Sequence, residues 1–254
     1  MKAHLDSGFG IDMKSQKRII KTTLIVLCVL ALLVVCALAY AYFNGRSGIR
    51  HNPEAAENDI RIACVGDSIT YGSQVSNWPQ NHYPLLLNNL LGNGFTVHNY
   101  GVSGAALLHT ADKPYANTGV YSDSITFAPD IVIIMLGTND TKTRNWTNAE
   151  DFRTQLTELL SVYSALPSAP DIYLCTPCKA YSDKFTIQDE CIETVAQVVQ
   201  DVATELELPL VDIRSLSVQH PEWFIKDGIH PNNDGARAIA QAIADAIVLS
   251  SEGE

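Results

Sequence analysis

Residues 131–136 read Ile-Val-Ile-Ile-Met-Leu, an apolar run whose first four members are all β-branched. A strand points successive side chains to opposite faces, so a strand with no polar position must be covered on both. That demands a parallel sheet with helices above and below it. The central strand candidate is Asp130–Leu136, and others lie at Ile60–Val65, Thr96–Tyr100, Ile172–Cys175 and Pro209–Ile213. Between them, apolar residues recur at helical spacing. Phe152, Leu156, Leu159, Leu160 and Tyr163 share one face, as do Ile192, Val195, Val199, Val202 and Leu206, and then Ala236, Ile239, Ala240, Ile243 and Ile247. Thr147 and Glu150 have the spacing of a capping box ahead of the first of these helices. Strand and helix in alternation predict an α/β chain with an open, doubly wound parallel sheet. No internal repeat or low-complexity tract interrupts it.

The first fifty residues are of another kind. Lys14, Lys17, Arg18 and Lys21 precede Thr22–Phe43, "TTLIVLCVLALLVVCALAYAYF", which has no charge. About 20 apolar residues cross a bilayer, whereas a signal-peptide core is about 7–15. Length therefore favours a retained transmembrane anchor over residues 22–43. The basic flank 1–21 would be cytoplasmic, and Tyr40, Tyr42 and Phe43 would lie at the outer interface. Cleavage is the alternative, because Ala37-Leu38-Ala39 and Ala39-Tyr40-Ala41 both have small residues at the right spacing. Either way the remainder is exported, free if the segment is cut. Bulky residues before Cys28 and Cys36 exclude lipid attachment there. Residues 44–59 are polar with Gly and Pro and read as a linker to a domain at 60–250.

Charge separates the two parts. Residues 1–50 hold seven Lys/Arg and two Asp/Glu, a net +5; the rest holds ten and twenty-six, a net −16. So acidic a domain will not bind nucleic acid or anionic lipid through net charge. Outside the apolar segment, Cys64, Cys175, Cys178 and Cys191 remain. Cys175-Thr176-Pro177-Cys178 has redox-motif spacing, but it follows a strand and contains a proline, so buried thiols or one incidental disulfide are expected.

In a parallel sheet the working loops follow the C-terminal ends of the strands. Gly66-Asp67-Ser68, "NYGVSG" at 99–104, "GTND" at 137–140 and "DGIHPN" at 227–232 would all surface on that edge. A serine hydroxyl becomes a nucleophile when a histidine takes its proton and a carboxylate holds that histidine in one tautomer. Ser68, His230 and Asp227, three residues before His230, fit those roles. The backbone N–H groups of Ser68 and Gly104 and the side-chain amide of Asn139 could receive the oxyanion of a tetrahedral intermediate. Each residue also has a plainer reading: Ser68 as a helix N-cap, Asn139 and Asp227 as turn caps, His230 as a loop histidine.

Taken together and in order, these blocks resemble the SGNH (GDSL-type) hydrolase superfamily over residues 60–250. The resemblance rests on Ser68 in Gly-Asp-Ser, Gly104, Asn139 in Gly-Thr-Asn-Asp and His230 in Asp-Gly-Ile-His. It implies a three-layer α/β/α fold with a five-stranded parallel sheet, a Ser-His-Asp esterase, and no metal or cofactor. The Gly-x-Ser-x-Gly elbow of lipase-type α/β-hydrolases is absent. Asn139-Asp140-Thr141 and Asn145-Trp146-Thr147 are also glycosylation sequons, and Asn139 is expected to be unmodified.

The long stretch "HTADKPYANTGVY" at 109–121, with "MLGTNDTKTRNW", looks like the carbohydrate O-acetylesterase branch of that superfamily, which includes acetylxylan and sialate esterases. The expected substrate is then a small-molecule or glycan ester. Asp67, Lys113 and Tyr115 are its expected contacts, with Tyr121 nearby. Rival readings are a lysophospholipase or thioesterase, an acyltransferase between sugars, and a catalytically silent anchored binding module.

Overall fold

A computed structural model of the chain describes residues 13–45 and 52–251. The chain divides into two units, residues 1–49 and 50–254. In the first, α1 (Met13–Gly45) contains the whole uncharged stretch 22–43 together with Lys14, Lys17, Arg18 and Lys21 in its opening turns. Residues 13–36 are long and apolar enough to cross a membrane, with none of the window buried against protein. At about 1.5 Å per residue, the uncharged stretch measures ~33 Å, against a hydrocarbon core of about 30 Å. Residues 1–12 of the expected basic tail and 46–51 of the expected linker lie outside the described residues.

The second unit is a five-stranded sheet in the order β2-β1-β3-β4-β5. Its strands are β1 (Ile60–Gly66), β2 (Phe95–Gly101), β3 (Ile131–Met135), β4 (Asp171–Cys175) and β5 (Leu210–Val211), all paired in parallel. The helices are α2 (Ser68–Tyr71), α3 (Trp78–Asn81), α4 (Tyr83–Leu91), α5 (Gly119–Thr126), α6 (Ala149–Ser164), α7 (Asp189–Glu205), α8 (Ile213–Val218) and α9 (Asn233–Ser251). Val132 and Ile134 of β3 pack with Phe152, Leu156 and Tyr163 of α6 and Val195 and Val199 of α7. Ile131, Ile133 and Met135 pack the other way, with Leu87 of α4 and Ile239, Ala240 and Ile243 of α9. This is the two-sided cover that the apolar run demanded. Each large side chain so buried contributes roughly 1.5–3 kcal/mol.

Several boundaries differ from expectation for local reasons. β5 is short because Asp212 caps α8, accepting from Ser215 N at 3.1 Å, so the chain turns away before Ile213. The cap of α6 is Asn148, one residue after Thr147; its Oδ1 accepts from Asp151 N and its Nδ2 donates to Asp151 Oδ2, both at 2.9 Å. Residues 52–59, expected as linker, run beside the edge strand β2. Asn52 Oδ1 accepts from Asn99 N at 2.8 Å, and Pro53 O bonds His98 Nε2 at 2.9 Å.

The strand order reverses between β1 and β3, which makes a crevice at their C-terminal ends. There α2 sits directly on the sheet. Gly66 and Gly101 are register partners at the ends of β1 and β2. A Cβ on Gly101 would lie 2.1 Å from Tyr71 N and 2.6 Å from Thr70 C. Backbone atoms cannot swing aside, so the glycine sets how closely α2 approaches. Gly101→Ala in the full-length protein is therefore expected to push α2 outward, lowering the melting temperature by about 3–10 °C. Any chemistry that depends on Ser68 should fall with it, because Ser68 opens the displaced helix; an unchanged melting curve and rate would refute this role.

Candidate active site

Asp67 ends the loop after β1 and caps α2, its Oδ1 accepting from Ile69 N at 2.8 Å. Ser68 is thus the first helical residue rather than the cap, and its hydroxyl is left for another partner. That partner is His230, whose Nε2 lies 2.9 Å from Ser68 Oγ. His230 Nδ1 lies 2.7 Å from Asp227 Oδ2. The other oxygen of Asp227 accepts the N–H groups of Ile229 and His230, each at 2.9 Å, so the turn and the ring are held by one carboxylate. Burial alone would raise the Asp227 carboxyl, but these N–H groups and the ring hold it below its ordinary value.

Asn139 lies in a short 3-10 turn, Asn139–Thr141, beyond β3. Its Nδ2 donates to Ala105 O at 3.0 Å and to Asp67 Oδ2 at 3.3 Å. Asp140 accepts from Leu107 N at 3.0 Å and Leu108 N at 2.7 Å, tying the loop after Gly104 to the Asn139 turn. Burial pushes the Asp67 and Asp140 carboxyls up to about 6; bonds from Ile69 N and from Leu108 N and Leu107 N, respectively, oppose the shift. Gly104 has φ +82°, a left-handed conformation that favours glycine. The N–H groups of Ser68 and Gly104 have no acceptor among the described residues.

A cavity of about 670 Å³ opens in front of Ser68 and His230. Gly104 and Asn139 line it, as do Ser73, Gln74, Ser103, Lys142, Thr143, Arg144, Phe185 and Ile229. The loops therefore bring together Ser68, His230, Asp227, Gly104 and Asn139. An activated hydroxyl facing N–H donors across a cavity can attack a carbonyl and hold the oxyanion that results.

The expected substrate contacts fare differently. Asp67 is 1% exposed and lies beneath the site, bonded to Asn139, so it positions that amide and does not face a ligand. Tyr115 is also 1% exposed; its hydroxyl donates to Tyr100 O at 2.7 Å and its ring belongs to the core. No face remains on which a sugar could stack. The Ala106–Pro114 bridge folds its loop inward, which places it there. Lys113 donates to Ser103 O at 2.8 Å and supports the Gly104 loop from beside the cavity. Tyr121 is the third residue of α5.

Lys142, Arg144 and Phe185 were missed. They converge because Thr143 N bonds Thr186 O at 3.0 Å, a tertiary pairing with no local signal. Phe185 and Thr186 both have φ +61°, and the Phe185 ring stands 51% exposed, edge-on to His230 with centroids 6.0 Å apart. Cys64, Cys175 and Cys178 are buried free thiols that burial pushes upward, and Cys191 is free as well. Both sequon asparagines are buried; Asn145 Nδ2 donates to Asp112 and to Asn139 O.

The geometry is that of an α/β domain with its loops gathered at the switch point of a parallel sheet. Residues 64–238 match the GDSL-like Lipase/Acylhydrolase family. An acetylxylan esterase from Xylanibacter ruminicola is 35% identical over 213 residues, 77% of this chain and 44% of that protein. This chain therefore spans less than half the length of that relative. Among solved structures, an M. smegmatis aryl esterase is 23% identical with a TM-score of 0.61, covering 74% of this chain and 97% of its own. A carbohydrate acetylesterase from Sinorhizobium meliloti is 19% identical with a TM-score of 0.59, covering 74% and 98%. At such identities these two structures speak to the fold alone. The chain belongs to the GDSL-like lipase/acylhydrolase family.

Proposed function

We propose that the protein is a serine esterase removing small acyl groups, acetyl above all, from carbohydrate esters. The observation that carries this reading is the unbroken chain Asp227–His230–Ser68, at 2.7 and 2.9 Å, opening on a cavity beside uncommitted N–H groups. The acetylxylan esterase relative supports the choice of acyl group and of a sugar alcohol. Ser68 Oγ attacks the ester carbonyl while His230 Nε2 takes its proton, and Asp227 steadies the imidazolium. The carbonyl oxygen, now negative, accepts from Ser68 N, Gly104 N and Asn139 Nδ2. Asn139 exchanges its longer bond, to Asp67 at 3.3 Å, for the oxyanion. Collapse expels the sugar oxygen, which takes the proton from His230 and leaves an acyl-Ser68. Water, deprotonated by His230, then attacks the acyl carbon, releasing the acid and restoring Ser68.

Hydrolysis of p-nitrophenyl acetate and of acetylated xylan by the full-length protein tests the reading. Ser68→Ala and His230→Ala are expected to abolish both activities with the fold retained. Asn139→Ala should lower kcat by about 100–1000-fold with little change in KM. A Ser68→Ala protein as active as the parent would end the serine mechanism. A change confined to KM would make Asn139 a ground-state contact instead.

The uncharged stretch of α1 is proposed as a membrane anchor, with the basic flank inside and the esterase outside; its length supports retention over cleavage. Full-length protein is expected to stay with membranes through high-salt and carbonate washes. Recovery in the medium of a chain beginning near Tyr40 or Tyr42 would identify a cleaved signal.

A further inference from the structure

Residues 51–254 carry twenty-six Asp and Glu against ten Lys and Arg, a net −16. Nonetheless, no carboxylate lines the cavity in front of Ser68 among the described residues, whereas Lys142 and Arg144 do. Two more of the ten cations stand beside it. Lys113 supports the Ser103–Gly104 loop through its bond to Ser103 O, and Lys184 lies with Nζ 5.5 Å from the centroid of the Phe185 ring. Four of the domain's ten positive charges thus gather around one opening of an otherwise acidic surface.

Asp112, with its side chain 24% exposed, balances only part of that charge. It is bonded by Arg144 Nη2 and by Asn145 Nδ2 at 2.7 Å, with Lys142 Nζ at 3.6 Å. Arg144 is the cation hydrogen-bonded to Asp112, through Nη2 alone, while Lys142, 9% exposed along its side chain, stands at 3.6 Å and adds charge without a hydrogen bond. Arg144 is 67% exposed, and its Nε and Nη1 have no partner among the described residues. The segment that carries it is fixed, since Thr143 N bonds Thr186 O at 3.0 Å and Asn145 N bonds Lys142 O at 2.8 Å. The open N–H groups of a guanidinium give charge-assisted hydrogen bonds to a carboxylate. A cleft lined by one sign of charge also concentrates ligands of the other sign.

We propose that the site selects esters whose alcohol portion carries a carboxylate, in this protein an acetylated sugar acid, with Arg144 receiving the carboxylate and Lys142 adding to the field. The sugar part of this statement rests on the function proposed above; the carboxylate part rests on the charge arrangement. Arg144 lies in the loop that follows Asn139, so a group bound there is remote from the reacting carbonyl and orients the alcohol portion. The apolar face of Phe185, tied alongside, is left for the ring of the same unit.

The test compares kcat/KM for paired probes differing in one charge, using full-length parent and Arg144→Gln. One pair is an acetylated methyl glucuronoside and the matching acetylated methyl glucoside. The other is 4-acetoxybenzoate and its methyl ester. Comparing each acid-to-neutral ratio between the two proteins cancels the intrinsic reactivity of the probes. The ratio is expected to be about tenfold higher in the parent, as for a charge-assisted pair at a partly exposed site. It should shrink as NaCl rises from about 0.02 to 0.5 M, through screening. Equal ratios in parent and variant, or a ratio indifferent to salt, overturn the proposal. If neither sugar ester is cleaved while both aryl esters are, the glycan reading has failed, and the aryl pair alone decides the carboxylate claim. A ratio in that pair that falls in Arg144→Gln sustains it, and an unchanged ratio removes it.

Discussion

The hydrogen bond between Ser68 and His230 joins residues 162 positions apart, and most of the second unit can be understood as what holds its ends together. Ser68 is placed by β1 and by the glycine contact that seats α2 on the sheet. His230 is placed by a turn in which Asp227 accepts two backbone N–H groups and the ring at once. Neither placement is possible without the parallel sheet, which delivers all strand C-termini to one edge. The apolar run of β3 stabilises that sheet from both faces. The same burial that stabilises the domain thereby sets the geometry of the site.

Beneath the site lie two buried carboxylates whose expense is offset by what they hold. Asp67 joins the start of α2 to the Asn139 amide, and Asp140 joins the Asn139 turn to the loop after Gly104. Buried carboxylates are costly, as their upward shift to about 6 records. They hold the loops of Ser68, Gly104 and Asn139 in a common arrangement, as the proposed oxyanion site requires, since donors fixed in advance need little reorganisation when charge develops. These two carboxylates are turned into the protein, and the cavity in front is lined by Lys142 and Arg144.

Much of this was legible in the sequence, for physical reasons. Val132 and Ile133 declare burial on two faces by themselves, and the periodicity of Leu156 and Tyr163 declares a helix, since both patterns are local. Ser68, Gly104 and Asn139 were legible because each sits in a short block just after a strand end, where loop position follows from topology; His230, well beyond β5, was legible from its Asp-Gly-Ile-His block. Tyr115 was misread as a sugar platform because an aromatic residue in a long polar loop gives no local sign of folding inward. Its burial depends on the Ala106–Pro114 bridge. Asp67 was misread for a related reason, since only the third strand's loop shows what covers it. Lys142, Arg144 and Phe185 were invisible, because the pairing of residue 143 with 186 that assembles them is a tertiary event.

Covalent capture by diethyl p-nitrophenyl phosphate, followed by peptide mass spectrometry of the full-length protein, tests the central claim most directly. A hydroxyl activated by a neighbouring imidazole attacks the phosphorus, releases p-nitrophenolate and keeps a diethylphosphoryl group. The account predicts one stoichiometric adduct, on the peptide bearing Ser68, with loss of esterase activity in step and no adduct in His230→Ala. An adduct on another residue that tracks the loss of activity, or full labelling of Ser68 with activity intact, would contradict it.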